Sequence, residues 1–438
     1  MHPFATAVAV IALCTSAAAQ AKPIGVIEPS QALTEARIAL LSPPLKAAWQ
    51  DYLNRSQTRL RADQAALAAE RAGLSTVPPQ PEGGNSEKSM PLDKPAAWYG
   101  SADALRVADN IVSFQTPSGG WGKNQPRDRP VRQPGQAYVS SNRSKFQKPG
   151  DFDAPEDENW SYVGTIDNDA TITEIFFLSK VVAALPPPEA EKYRASTLRG
   201  LEYLLAAQFP NGGWPQVWPL QGGYHDAFTV NDNAIVEVAQ LLEAVAAGQQ
   251  DFAFVPPSLR ERAQAAEKAA LAGLLQAQVT VAGRKTLWAQ QHDALTLAPT
   301  SARNYEPVAL CSSESAAVLI YLMAHTNPSP AVIEAVEGGI ATLRALAISG
   351  KTWRKDNELD GRRLYAAPGA APLWARFYDA NTQQPVFGDR DKTLHDDVAD
   401  ISLERRNGYA SYGTAPSKAL QAYAVWKQRG LPAAPSGK

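Results

Sequence analysis

Thiols are almost absent from this chain. Its 438 residues hold two cysteines, Cys14 and Cys311, and the first lies in what reads as an export signal. An apolar run from about Ala5 to Leu13 leads into small residues, and Ala19-Gln20-Ala21 fits a small-x-small cleavage site ahead of Lys22, although no Lys or Arg precedes the run. A secreted or periplasmic protein is the expectation. Removal of residues 1–21 leaves Cys311 alone, which excludes an internal disulfide or a thiolate metal site, so the mature fold has to stand on packing. Charge of one sign is lacking as well. A formal net charge of −2 gives no electrostatic footprint for nucleic acid or for a membrane surface. Beyond the leader no stretch is long and apolar enough to span a bilayer. No Gly-x-Ser-x-Gly elbow occurs, so His292-Asp293 has no serine to complete a hydrolase triad.

What the chain does have is proline, glycine and tryptophan: 34, 29 and 10 residues, with 45% hydrophobic residues overall. The first two suggest long ordered loops. The tryptophans suit either a sugar-stacking surface or the core. Residues 33–73 read as two helices broken at Pro43-Pro44, the second running through Trp49, Tyr52, Leu53 and Leu60, and residues 75–96 read as a linker. A helix is predicted over about 101–114, where apolar residues recur at helical spacing. It ends in Gln115-Thr-Pro-Ser-Gly-Gly-Trp121. The same device returns after a helical segment at 189–207 as Gln208-Phe-Pro-Asn-Gly-Gly-Trp214, with a degenerate third copy from Gln276 to Trp288.

Each copy precedes another helix-period segment, through Ile172, Ile175 and Phe176, through Ile235, Val238 and Leu242, and through Ala316, Leu319 and Leu322. The unit is therefore outer helix, Gly-Gly-Trp loop, inner helix. One such pair cannot bury its own apolar face, so pairs stack or close into a ring, and the unequal spacing of the copies favours a ring with loop insertions. The expected fold is all-α: an α/α toroid, an incomplete (α/α)3 barrel, with a small N-terminal helical segment and few short strands. Residues 22–96 form the N-terminal segment and linker, and 97–430 the toroid.

Two of the inner helices are announced by nearly the same polar phrase, Thr165-Ile-Asp-Asn-Asp-Ala170 and Thr229-Val-Asn-Asp-Asn-Ala234. Asp and Asn cap helices well. A cap, however, needs one side chain, and here three consecutive positions are carboxylate or amide. Oxygen-rich clusters meeting at one mouth of a ring suit a hard cation such as Ca²⁺.

Further stretches sharpen this: Gly120-Trp-Gly-Lys123-Asn124, Trp288-Ala-Gln-Gln-His292-Asp293, Arg303-Asn-Tyr-Glu306, Trp374-Ala-Arg376-Phe-Tyr378, Phe387-Gly-Asp-Arg390-Asp391 and Glu404-Arg-Arg-Asn-Gly-Tyr409. Together with Thr165–Thr171 they resemble the family 10 polysaccharide lyases, calcium-dependent pectate lyases built on an α/α toroid. The resemblance covers roughly residues 35–428. It implies that Arg303 is the Brønsted base and that Asp167, with Asn168 beside it, belongs to the calcium site. Asp232 stands where a second calcium aspartate is expected, with Asp226 as a rival. Arg376 and Arg390 match arginines that grip substrate carboxylates, and Lys123, His292 and Glu306 fall in matching substrate-binding motifs. Asn304 departs from the family, which has a small residue there. The implied partner is polygalacturonate, acted on by a monomer that binds neither nucleic acid nor membrane.

The chemistry is coherent in itself. β-Elimination removes the C5 proton of a galacturonate and breaks the C4–O bond, leaving a 4,5-unsaturated uronide. A cation at the C6 carboxylate stabilises the enolate-like intermediate, and arginines hold carboxylates bidentately. Arginine is a weak candidate for a base at neutral pH, since its pKa exceeds about 12, so an alkaline optimum is expected. Two other functions fit parts of the pattern: a glycoside hydrolase on the same toroid, using Asp167 and Asp232 as its acid and base, and a non-catalytic polyuronate binder. Cys311 reads as a buried thiol. The insertion at 125–160 stands ahead of Asp167 as a possible groove wall.

Overall fold

Three short helices, Ile172–Ala184, Ala234–Ala247 and Ser312–Ala324, are apolar on nearly every face, and each is buried on nearly every face. Such helices belong inside a helical shell. The computed structural model describes residues 22–83, 90–141, 146, 148–152 and 163–429. The expected leader with Cys14, and parts of the 75–96 linker and the 125–160 insertion, lie outside them. The first inner helix packs against the second, and the second against the third. Around them lie longer outer helices, Pro187–Ala207, Pro257–Ala277 and Pro330–Ala345, each backed against an inner one. All three begin with proline, whose missing N–H costs nothing in the first turn. Ala102–Ser113 and Ala415–Lys427 complete the shell on the first and third inner helices. The architecture is the expected α/α toroid.

The long helix Pro43–Arg71 starts at the two prolines, after a short helix Glu35–Ile38. It lies on the outside of the ring. Trp49 and Tyr52 pack on Phe209, with ring centroids 5.2 and 5.1 Å away, and the Tyr52 hydroxyl donates to the Ala207 carbonyl at 3.0 Å.

The Gly-Gly-Trp loops are the bolts of the shell. Trp121, Trp214 and Trp288 are fully buried. Each indole N–H donates at 2.7 Å to a carbonyl of the outer helix just completed, those of Ile111, Leu204 and Leu274. A fourth copy, unforeseen in the sequence, uses Trp374 on the Leu343 carbonyl at 2.7 Å. None of the four lines a sugar groove. The repeated glutamine bonds its own loop and the neighbouring outer helix: Gln115 donates to Gly119 and Ser196, Gln208 to Gly212 and Ala266. In the third copy this is done by Gln278, not Gln276, because a hairpin, Thr280–Val281 with Arg284–Lys285, separates it from Trp288. The second glycine of the pair is a matter of space. A Cβ on Gly213 would stand 2.1 Å from the Phe228 ring, and one on Gly120 2.5 Å from Tyr203.

Short strands then pass the chain from unit to unit. Gly164–Thr165, leading into the first inner helix, pairs antiparallel with Val217–Trp218, which follows the second Trp loop. Phe228–Thr229 pairs with Gln291–His292 after the third, and Leu310–Cys311 with Phe377–Tyr378 after the fourth. Each junction places one residue in the same post: the carbonyls of Gln216, Gln290 and Arg376 accept from the N–H groups of Ile166, Val230 and Ser312 at 3.1, 3.0 and 2.9 Å. This relay gathers chemically useful side chains at one end of the ring.

Candidate active site

The two polar phrases do not cap their helices. Neither Ile172–Ala184 nor Ala234–Ala247 receives a side-chain capping hydrogen bond at its N-terminus. Each phrase is instead a tight turn with left-handed residues, Asn168 and Asp169 in one, Asp232 and Asn233 in the other. Thr171, β-branched and at φ +67°, is an outlier that needs outside support. Its hydroxyl accepts from the Trp121 N–H at 3.0 Å and donates to the Thr165 carbonyl at 2.8 Å. The scaffold thus forces the turn, and the turn leaves its polar side chains for other work.

That work is at a cavity of about 240 Å³ lined by Lys123, Asp167, Asn168, Gln216, Tyr224, Asn231, Asp232, Gln290, Gln291, Arg303 and Glu306. Asp167 and Asp232 come together there. Their carboxyls interact closely enough that ionising both together is opposed. Burial opposes ionisation of Asp167, but the Lys123 ammonium and the bond from Asp232 outweigh it and hold Asp167 well below the usual carboxylate range. Burial and the Asp167 charge push Asp232 up to about 7. Asp167 Oδ1 is buried and takes no bond from any N–H. Two facing carboxyls with one lone pair unused fit a hard cation bound through oxygen. Among the described residues no three His, Cys, Asp or Glu side chains group to hold a metal. A cation here would take Asp167 and Asp232, with the amide oxygens of the phrases and the substrate completing its shell.

Arg303 faces this pair across the cavity. Glu306 holds it in a fork, with Nε to Oε2 at 2.9 Å and Nη2 to Oε1 at 2.5 Å, while the Arg303 N–H also donates to Oε2 at 3.0 Å. Glu306 is itself pinned by the Tyr409 hydroxyl at 2.9 Å and the Gln290 amide at 3.1 Å. Burial works against its charge, yet Arg303 holds it down at about 2. Burial would also lower the Arg303 pKa; Glu306 reverses this and carries it above its ordinary value. The Arg303 side chain is 37% exposed and lines the cavity.

Arg376 sits behind the wall rather than on it. It pairs with Glu314, reaches Asn231 Oδ1 at 3.4 Å, and lies 5.0 Å from the Tyr409 ring. Arg390 stands on the outer rim, bound to Glu404 at 2.7 Å and 5.2 Å from the Tyr305 ring, which Arg303 and Arg405 also flank at 5.1 and 4.2 Å.

Two expectations fail on geometry. His292 is fully buried: its Nε2 accepts from the Ala289 N–H at 3.1 Å, its Nδ1 meets the Leu297 carbonyl at 2.9 Å, and burial pushes it down to about 4. It is a structural residue beneath the site and cannot reach a substrate. Asp226 does not face Asp167. Its carboxylate caps the turn at Gln221 and Gly222, both N–H groups at 3.1 Å, which leaves Asp232 as the partner. Nor does Asp293 serve His292, since it pairs with Arg37 of the N-terminal segment at 2.7 Å. Cys311 is buried, as expected. The sequence reading missed Gln216, Tyr224, Gln290, Gln291 and Tyr409, although the last three stand inside stretches it had singled out.

Comparison with known proteins places this geometry. The family model of pectic acid lyase matches residues 115–420, and the chain belongs to that family. Two solved structures are similar to it. One is a family 10 polysaccharide lyase from Cellvibrio cellulosa, 28% identical, TM-score 0.64, matching 77% of this chain and 97% of that one. The other is a mutant of a family 10 polysaccharide lyase from the same organism in complex with trigalacturonic acid, 28% identical, TM-score 0.63, over 78% and 98%. No curated protein matches the chain.

Proposed function

We propose that the protein is a calcium-dependent pectate lyase that cleaves α-1,4-polygalacturonate by β-elimination to 4,5-unsaturated oligogalacturonates, exported to the periplasm or the medium and acting as a monomer. The observation that carries the reading is the opposition, across one cavity, of a forked and exposed Arg303 to the Asp167–Asp232 pair. Trigalacturonic acid bound to a similar protein supports the substrate class. A calcium ion at Asp167 and Asp232 would draw charge from a C6 carboxylate and so acidify the C5 proton.

The residues of the chain do the rest. In this reading Arg303 takes the C5 proton, and Glu306, with Tyr409 and Gln290 behind it, fixes the direction of its side chain. The electron pair released at C5 forms the C4=C5 double bond as the C4–O bond breaks, and the leaving oxygen takes a proton from water. Lys123 offers a cation beside Asp167, and Arg390 one on the rim, for carboxylates of the same chain. The hydrolase reading is poorly served: its two carboxyls stand about 5 to 9.5 Å apart, with a sugar or a water between them, whereas Asp167 and Asp232 interact directly and Asp167 is held by Lys123.

The Glu306 fork makes the neutral, proton-accepting form of Arg303 scarcer in the resting protein. Activity should therefore rise with pH without levelling before about pH 10. Arg303→Ala should lower kcat by about 10²- to 10⁴-fold. Glu306→Gln, whatever it does to kcat, should move the alkaline limb to lower pH. A flat wild-type profile between about pH 6 and 10 would remove Arg303 as the base.

A further inference from the structure

The insertion at 125–160 and Asn304, the departure from the family's arginine motif, meet in the structure, and the reaction described above uses neither. Asn304 is 5% exposed. Its Nδ2 donates to Asp151 Oδ1 at 2.7 Å and to the Arg390 carbonyl at 2.8 Å, and its Oδ1 accepts from the Phe152 N–H at 2.9 Å. A glycine or alanine could make none of these bonds, and a serine could not make all three. The amide thus joins three things: the insertion, the turn that carries Arg390, and, through the backbone, Arg303.

A second tie lies beside the first. Lys392 Nζ donates to the Gly150 carbonyl at 2.8 Å and sits 4.7 Å from the centre of the Phe152 ring. The segment is closed on itself by Asp151, whose Oδ2 accepts from the Lys148 N–H at 2.7 Å. Phe152 and Lys392 are both partly exposed. Nearby, the Arg390 guanidinium lies 4.8 Å from the ring of Phe146, which is 52% exposed. Two aromatic rings, Phe146 and Phe152, therefore meet cations of one turn, Arg390 and Lys392, two residues apart.

We propose that residues 148–152 form one wall of the polygalacturonate groove, that Phe152 with Lys392 is an outer uronate subsite beyond Arg390, and that Asn304 is the positioning residue that holds this wall in place. Every sugar of a polyuronate offers an apolar C–H face and a carboxylate, which an aromatic ring and an adjacent ammonium meet together. The inference rests on the lyase reading above.

Steady-state kinetics on polygalacturonate and on trigalacturonate test it, for the wild type, Asn304→Gly, Phe152→Ala and Lys392→Ala. The ratio of KM on the polymer to KM on the trimer should rise about twofold to fivefold in each variant, the size of one exposed contact, and the effect should fall on KM rather than kcat. Asn304→Gly combined with Phe152→Ala should be no worse than the worse single variant, because both remove the same wall. An unchanged ratio in Phe152→Ala and Lys392→Ala overturns the subsite; those two exposed positions decide the matter even where Asn304→Gly does not fold. A displaced pH profile in Asn304→Gly overturns the positioning role and puts Asn304 in the chemistry of Arg303. Should the wild type release no unsaturated product from either substrate, the lyase reading fails separately. Calorimetric binding of the polymer then decides the subsite, equal affinity in wild type and Phe152→Ala overturning it.

Discussion

The two polar phrases share a backbone and differ in where they put the acid. Asn168 and Asp232 occupy the same left-handed post, each at φ +50°. One residue earlier stand Asp167 in the first phrase and Asn231 in the second. Acid and amide are thus exchanged between equivalent positions, and the strand relay sets the two turns side by side. The result is one pair of facing carboxyls flanked by amides, not a crowd of acids. Their neighbours then separate them. Lys123 holds Asp167 ionised, while Asp232, facing that charge from a buried place, keeps its proton up to about pH 7. A repeated frame supplied the position, and the broken symmetry within it supplied the chemistry.

The largest effect should come from removing the ionised member. Asp167→Ala takes away the Lys123 partner and half of the oxygen pair, and should lower the rate of unsaturated product release from polygalacturonate by about 10³-fold. Exchanging the two posts in the first and second turns, with Asp167→Asn and Asn231→Asp together, keeps the composition and moves one acid; activity close to wild type in that variant would show that the facing geometry is unimportant.

Removing the protonated member should act differently. The Asp232 value is raised on folding, from 3.8 to about 7, so its contribution favours the metal-free fold at low pH and is lost as pH rises through that window. Asp232→Asn mimics the protonated form. It should raise the Tm of metal-free protein at about pH 8 and abolish any gain in Tm on adding calcium. In the wild type, calcium binding as proposed would have to displace that proton, so its affinity should weaken by up to about tenfold per pH unit below about 7. Calorimetric titrations on either side of that value check the slope.

A smaller effect probes the frame rather than the charges. Gly213→Ala puts a methyl 2.1 Å from the Phe228 ring, and Gly120→Ala puts one 2.5 Å from Tyr203. Each should cost about 1–3 kcal/mol of stability by thermal or denaturant unfolding. Since Phe228 itself leads into the second phrase, whereas Tyr203 reaches the first only at one remove, through its bond to the Trp218 carbonyl, Gly213→Ala should disturb activity more than Gly120→Ala.

This contrast also explains what could be read in the chain. The helices at 102–113 and 187–207 and the Gln-x-x-x-Gly-Gly-Trp loops were legible because each bond they make serves its own unit or the next helix, so the same residue types recur at fixed spacing. Gln278 was misplaced by two residues because an inserted hairpin stretched that spacing, and Trp374 was missed because its loop keeps only the tryptophan. Asp167, Asp232, Arg303 and Glu306 were legible through local motifs. Gln216, Gln290 and Arg376 hold one post in three units, yet nothing local says so; the equivalence exists only once strands from different units pair. His292 misled for the opposite reason. It stands beside Gln290 and Gln291, but its ring is turned inward, held between the Ala289 N–H and the Leu297 carbonyl.

The most direct test of the account follows ultraviolet absorbance from polygalacturonate at about pH 9, first with added calcium and then with excess chelator. The account predicts a rise that calcium sustains, that chelator stops, and that Arg303→Ala lacks. Reducing ends appearing with no rise in absorbance would contradict it and return Asp167 and Asp232 to the roles of a hydrolytic acid and base.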